Sequence, residues 1–155
     1  MKIIYDITNG PRRQRCGSSS LRREYVDMGI DTIEIHFDSR GIHFSIPAHG
    51  AKATMTRAQM ETMPLIVTGS HFFCRVMEQL AALPAGTTTT YGAIAARIGN
   101  PRASRAVGQA VGANRHYLLL PCHRVLPSSM KIGGFYWGSD LKQRLLQSEA
   151  TLLNH

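Results

Sequence analysis

The sequence predicts an α/β (α+β) fold in two parts: a small N-terminal antiparallel sheet domain, then a helical domain built on a helix-turn-helix. Three observations predict it. Apolar residues alternate with period two from Asp31 to Pro47, they recur at three- and four-residue spacing from Ser70 onward, and positive charge gathers in the second half. A chain of 155 residues can bury a core as one domain or as two small ones.

Met1 to Thr8 alternates loosely, as a strand would. Residues 9–23 read as a basic loop: Asn9-Gly10-Pro11 opens it, and Arg12, Arg13, Arg15, Arg22 and Arg23 surround a Gly-Ser stretch. It either touches phosphates or is simply solvated, and Cys16 within it is exposed and incidental. Ile33, Ile35 and Phe37 alternate with Glu34 and His36, Asp38-Ser39-Arg40-Gly41 turns, and Ile42, Phe44 and Ile46 alternate with His43 and Ser45. This is a hairpin with one buried face. His36 and His43 fall on its polar side, which suits surface histidines better than metal ligands. Thr54 to Met63 fits a short helix, and Pro64 to Gly69 reads as a connector. The domain boundary is placed there, giving domains 1–68 and 69–155.

Ser70 is an N-cap for a helix in which Phe72, Phe73, Val76, Met77, Leu80 and Leu83 share a face and which Pro84 stops. Thr87 to Thr90 lead into a second helix from Tyr91 to Ile98, closed by Gly99. Asn100-Pro101 then starts a third helix that runs to about Gly112. Two short helices around a Gly-Asn turn outline a helix-turn-helix. The second of them carries Ala103, Ala106, Gly108, Ala110 and Gly112, so it is slim. A slim helix lets its backbone approach a narrow surface such as the minor groove, or lets it pack tightly against neighbours.

Leu118-Leu119-Leu120 reads as a short buried strand ended by Pro121. Cys122 and His123 follow, with Arg124 and Val125. A cysteine beside an imidazole and a guanidinium is in surroundings that lower a thiol pKa, and the thiolate is the nucleophile. A lone cysteine is otherwise most often inert core. Glycines around Phe135, Tyr136 and Trp137 suggest a pocket wall for a flat ligand. The last helix opens at Ser139 with a stripe of Leu141, Leu145, Leu146, Leu152 and Leu153. Glu149 falls inside that stripe, so it needs a histidine or arginine partner. Glu-His-Cys is then a reasonable relay: the acid orients the imidazole, and the imidazole takes the thiol proton.

Composition sets the outer bounds. The net charge is +8: residues 1–83 hold ten Lys/Arg and eight Asp/Glu, and residues 84–155 hold eight Lys/Arg against Asp140 and Glu149 alone. The second half is the part that attracts a polyanion. No apolar run approaches the roughly 20 residues of a membrane helix, and the opening residues lack a signal-peptide layout. Three widely spaced cysteines without a CxxC pair argue against a disulfide scaffold or a zinc finger, and for a reducing compartment.

With these residues in place, the second half resembles the O6-alkylguanine-DNA alkyltransferases. The likeness is carried by Gly69-Ser70-His71-Phe72, Pro84-Ala85-Gly86-Thr87, Thr90-Tyr91-Gly92, Gly99 through Gly108, Asn114, Pro121-Cys122-His123-Arg124-Val125 and Gly133-Gly134 through Glu149. The resemblance implies a single-turnover methyltransferase: an enzyme that flips a damaged guanine out of duplex DNA from the minor groove and moves its O6-alkyl group irreversibly onto cysteine. O4-methylthymine is a possible further substrate. It implies Cys122 as acceptor, His123 acting through a bound water, Glu149 orienting His123, Tyr91 as proton donor and Asn114 as brace. It further implies Arg105 as the finger entering the stack, with Arg102, Arg124, Ala106, Ala110 and Tyr91 on DNA. Val111, Val125, Phe135, Tyr136 and Trp137 would line the pocket. Trp137 stands where several members carry glycine, which implies a crowded pocket mouth. No cofactor or metal is implied, and a monomer in the cytoplasm (or a nucleus) is expected. The alternatives are a damage-binding protein that transfers nothing and a helix-turn-helix regulator.

Overall fold

A computed structural model describes residues 1–7, 21–129, 131–132 and 134–153. Most of the basic loop, with Cys16, and Gly133 of the glycine pair lie outside the described residues, as do the side chains of Leu152 and Leu153. The chain divides into two compact units: 1–74 with 115–119, and 75–114 with 120–155.

The first unit is a five-stranded sheet. Its strands are β1 (Ile3–Ile7), β2 (Arg22–Asp27), β3 (Thr32–Asp38), β4 (Gly41–Pro47) and β5 (Leu65–Gly69), in the order β1-β5-β4-β3-β2. The expected hairpin is β3–β4. The sheet is mixed rather than wholly antiparallel, because β5 pairs parallel with both β1 and β4. β5 is the segment expected to be a connector. A central strand covered on both faces reads as a continuous apolar run, and Leu65-Ile66-Val67 is buried throughout. β2 includes Arg22 and Arg23, which the sequence pattern assigns to the loop. It is an edge strand in which only Val26 is buried, and its charges are used: Arg22 lies over the Phe37 ring at 4.8 Å.

The β4 alternation also departs from expectation. His36 pairs with Phe44 and Phe37 with Ile42, so His43 is an extra residue, a bulge. Beyond it the faces exchange. Ile42 and Ser45 point inward at 0% exposure, Phe44 stacks on His36 at 4.1 Å, and Ile46 is exposed. The two histidines are each held by a carboxylate: His36 Nε2 lies 2.6 Å from Glu34, and His43 Nε2 lies 2.9 Å from Asp38. The short helix α1 (Arg57–Glu61) is opened by a Thr56–Gln59 capping box. Ile33, Ile35, Met60, Leu65 and Val67 form the core, each side chain contributing roughly 1.5–3 kcal/mol by burial.

α2 (His71–Ala81) starts at Ser70, whose hydroxyl accepts the Phe73 N–H at 3.2 Å. The second unit continues with β6 (Thr89–Thr90), α3 (Tyr91–Arg97), α4 (Ser104–Gly112), a single 3-10 turn at Cys122–Arg124, β7 (Val125–Leu126) and α5 (Ser139–Leu153). α4 begins three residues later than expected. Asn100 C=O accepts the Ala103 N–H, making a turn, and the helical ladder opens only with Val107 N–H donating to Ala103. Leu118-Leu119-Leu120 is not a strand but a turn, with Leu118 at φ +61°. Val76, Met77, Leu80, Ile94, Val107 and Leu145 fill the core of this unit.

Candidate active site

The nucleophile candidate sits where a strand pair meets a tight turn. Thr89-Thr90 pairs in parallel with Val125-Leu126, so the start of α3 and the end of the Cys122 turn are hydrogen-bonded neighbours. Thr90 caps α3 by accepting the Ala93 N–H at 3.1 Å, which sets Tyr91 on the first helical position. Cys122 and Tyr91 both line a cavity of about 260 Å³, together with Val111 and Gly108 of α4 and with Phe135 and Lys142. Gly112, Gly134 and Tyr136 complete the lining. Gly108 faces the Tyr91 ring, and a Cβ there would make an ordinary contact with it at 3.9 Å.

His123 and Glu149 are 2% and 4% exposed, and His123 Nε2 lies 2.7 Å from Glu149 Oε1. An ionised carboxylate only accepts, so Nε2 is the donor in this pair. Burial pushes the Glu149 carboxyl up, but hydrogen bonds from His123, Arg124 and the Gly86 N–H outweigh it and hold the group at about 2. The pairing expected of an in-stripe carboxylate is therefore met by both a histidine and an arginine.

The thiol departs from expectation. Burial raises Cys122 to about 11, against the opposing effects of a side-chain hydrogen bond from Asn114 and the charge of Lys142. Backbone hydrogen bonds from Cys122 itself and from His123 also lower it, but the His123 and Arg124 side chains are engaged by Glu149. Asn114 is 1% exposed, and its Nδ2 also donates to Leu120 O at 3.1 Å. Tyr91 is pushed up by burial and then by the charge of Cys122, so its hydroxyl keeps its proton.

Arg124 is not available to DNA as expected. Its Nε and Nη2 donate to Glu149 and its Nη1 to Leu83 O at 2.7 Å. Arg102, Arg105 and Ala106 are exposed, but Ala110 is buried in the packed face of α4. Val125 is 0% exposed and does not line the cavity. Trp137 does not line it either; it sets its edge against Phe135 and Tyr136 at 5.5 and 5.1 Å.

Lys142 is the residue that sequence reasoning missed. It is 1% exposed, donates to Val125 O at 2.6 Å and lies 5.8 Å from the Phe135 ring centre. A signal existed: Lys142 lies two helical turns before Glu149 and so shares its face. Burial lowers its pKa, and the charge of Cys122 opposes that. Among the described residues no cluster of three or more metal-ligating side chains occurs.

A buried thiol on the wall of a small cavity, hydrogen-bonded by an asparagine and followed in sequence by a histidine paired with a glutamate, makes a candidate nucleophile site in a unit that carries two short helices around a turn. The family model for the DNA-binding domain of 6-O-methylguanine DNA methyltransferase matches residues 71–151, and the chain belongs to this family. It is 41% identical over 98 residues to the regulatory protein ada of Salmonella typhimurium, a match covering 63% of this chain and 28% of that protein. It is 45% identical over 83 residues to the methylated-DNA–protein-cysteine methyltransferase of Methanosarcina acetivorans, covering 54% and 53%. The matches thus span between about a quarter and about half the length of these relatives. Among solved structures, Mycobacterium tuberculosis OGT in complex with DNA is similar at TM-score 0.68 and 27% identity, covering 83% of this chain and 92% of that one. The O6-methylguanine methyltransferase of the same organism, in a second crystal structure, follows at 0.64 and 25%, covering 84% and 94%. These structures share the two-part mixed α/β fold.

Proposed function

We propose that the chain is a direct-reversal DNA repair enzyme that accepts the O6-alkyl group of a flipped guanine on Cys122, once per molecule. The observation that carries this reading is the buried Cys122 thiol on a cavity wall, followed in the same turn by a His123 that is paired with Glu149. The likeness to methyltransferases and to a DNA-bound relative supports it.

In this reading residues 69–155 bind duplex DNA from the minor groove as a monomer. The exposed Arg105 in the first turn of α4 takes the place of the extruded base, and Arg102 and Ala106 flank it. Extrusion costs a few kcal/mol and least for a badly paired lesion, so damage itself helps selection. The thiol proton passes to His123 Nδ1 through a water, and Glu149 stabilises the imidazolium. The Sγ–C bond forms as the C–O6 bond breaks, the electron pair leaves with the guanine, and the Tyr91 hydroxyl supplies its proton. With Cys122 near 11, the thiol stays protonated until the base arrives, which restrains side reactions. The cytoplasm, or a nucleus in a eukaryote, is where such a substrate lies.

The test is the intact mass after incubation with a duplex carrying one O6-methylguanine. A single gain of about 14 Da at Cys122, exhausted at one equivalent, is the expected result for covalent alkyl capture. Binding without mass gain would instead establish a damage-binding protein.

A further inference from the structure

Between α4 and the nucleophile the chain makes a short excursion. Residues 115–119 belong to the first unit, whereas Asn114 and Leu120 on either side belong to the second. The excursion is taken into the sheet. Ser45 N–H donates to Arg115 O at 2.9 Å, Tyr117 N–H donates to Ser45 O at 3.3 Å, and Ser45 Oγ donates to Tyr117 O at 2.9 Å. β5 reaches β4 only at Ile42–Leu65, so this stretch occupies the part of β4 that β5 leaves open, with a parallel bridge at Ser45–His116.

A side-chain catch secures it. The Tyr117 hydroxyl donates to Asp31 Oδ2 at 2.7 Å. Asp31 also accepts the Thr32 N–H at 2.8 Å and faces His49 Nδ1 at 2.9 Å. One carboxylate therefore ties the turn before β3, the loop after β4 and the excursion together. The next residue, Leu118, is the one non-glycine with positive φ among the described residues. An L-residue holds that conformation only where its surroundings over-determine it. At the base of the excursion Asn114 bonds Leu120 O and the Cys122 thiol.

We propose that Tyr117 is a positioning residue for Cys122: its catch on Asp31 keeps 115–117 in the sheet and so maintains the strained Leu118 turn through which the chain returns to the nucleophile. Without the hydroxyl the turn relaxes, and the Asn114–thiol register at its base loosens. The proposal deepens the alkyl-acceptor reading and rests on it.

The test compares full-length wild type with Tyr117→Phe, Asp31→Ala and the control Thr62→Ala, which removes an exposed hydrogen bond of the same unit. Three quantities are read: the single-turnover transfer rate constant from an O6-methylguanine duplex, the Kd for that duplex, and the pH profile of Cys122 carbamidomethylation by iodoacetamide, followed by peptide mass without DNA. Tyr117→Phe and Asp31→Ala are expected to slow transfer five- to tenfold and to displace the carbamidomethylation profile, with Kd within twofold and Thr62→Ala unchanged. A Tyr117→Phe protein that melts earlier yet transfers and reacts with iodoacetamide at the wild-type rate would overturn the proposal. If wild type gains no methyl group, the alkyl-acceptor reading fails, and the carbamidomethylation profile still decides the role of Tyr117.

Discussion

His116 in the sheet unit and His123 in the helical unit are equally hidden, at 5% and 2% exposure. Their partners differ. His116 bonds the backbone of Ile66 and feels His43, and burial lowers it to about 4, so it stays neutral. His123 is bonded to an ionised carboxylate that Arg124 and Gly86 hold in place. Burial alone makes a histidine a neutral packing group. Burial against an anchored carboxylate instead sets a negative partner at the ring.

The largest expected effect breaks that difference directly. Glu149→Gln removes the charge that stabilises the imidazolium, and the alkyl-transfer rate constant should fall about a hundredfold or more, at unchanged DNA affinity, in single-turnover kinetics. Stability has a matching signature. The folded carboxyl lies at about 2 against an ordinary 4.5. Its contribution is complete above 4.5 and is lost as pH falls toward 2, at most about 3 kcal/mol. Urea titrations of wild type and Glu149→Gln should converge across that window.

His116 titrates in a different window. The unfolded chain takes a proton below 6.5 while the folded one does not until about 4. Stability is therefore full above 6.5 and falls by up to about 3 kcal/mol as pH drops to 4. His116→Gln should flatten the urea midpoint between pH 6.5 and 4 while leaving the Glu149 window in place. A midpoint that keeps its slope there would assign it to another group.

The smallest expected effect concerns Lys142. Lys142→Met keeps the packing volume and removes the cation opposing the burial of Cys122, so the thiol should ionise at higher pH than about 11. Reaction with iodoacetamide at neutral pH should slow about tenfold, because the thiolate fraction sets the rate.

Legibility differed between the two units for physical reasons. In the helical unit α2, α3, α5 and the Glu149 stripe follow local spacing and lie where the pattern places them, whereas α4 opens at Ala103 and not at Asn100-Pro101. In the sheet unit β5 pairs with strands distant in sequence, and its apolar run carries no period to read. The bulge at His43 likewise depends on the partner strand, and it moved Ser45 into the core and Ile46 out of it. The family resemblance implies a DNA contact for Arg124, and only its reach to Leu83 and Glu149 shows it spent internally.

By itself the sequence determined the chemical parts: a cysteine beside a histidine, a carboxylate on an apolar face, a slim basic helix and the period of each helix. Those follow from residue type and local spacing, which are properties of the chain alone. Only the tertiary structure decided how acidic the thiol is, that Lys142 is buried beside it, and that residues 115–119 leave one unit to join the sheet of the other. Each of these depends on solvent exclusion and on partners far apart in sequence, and none of them is written in any local stretch.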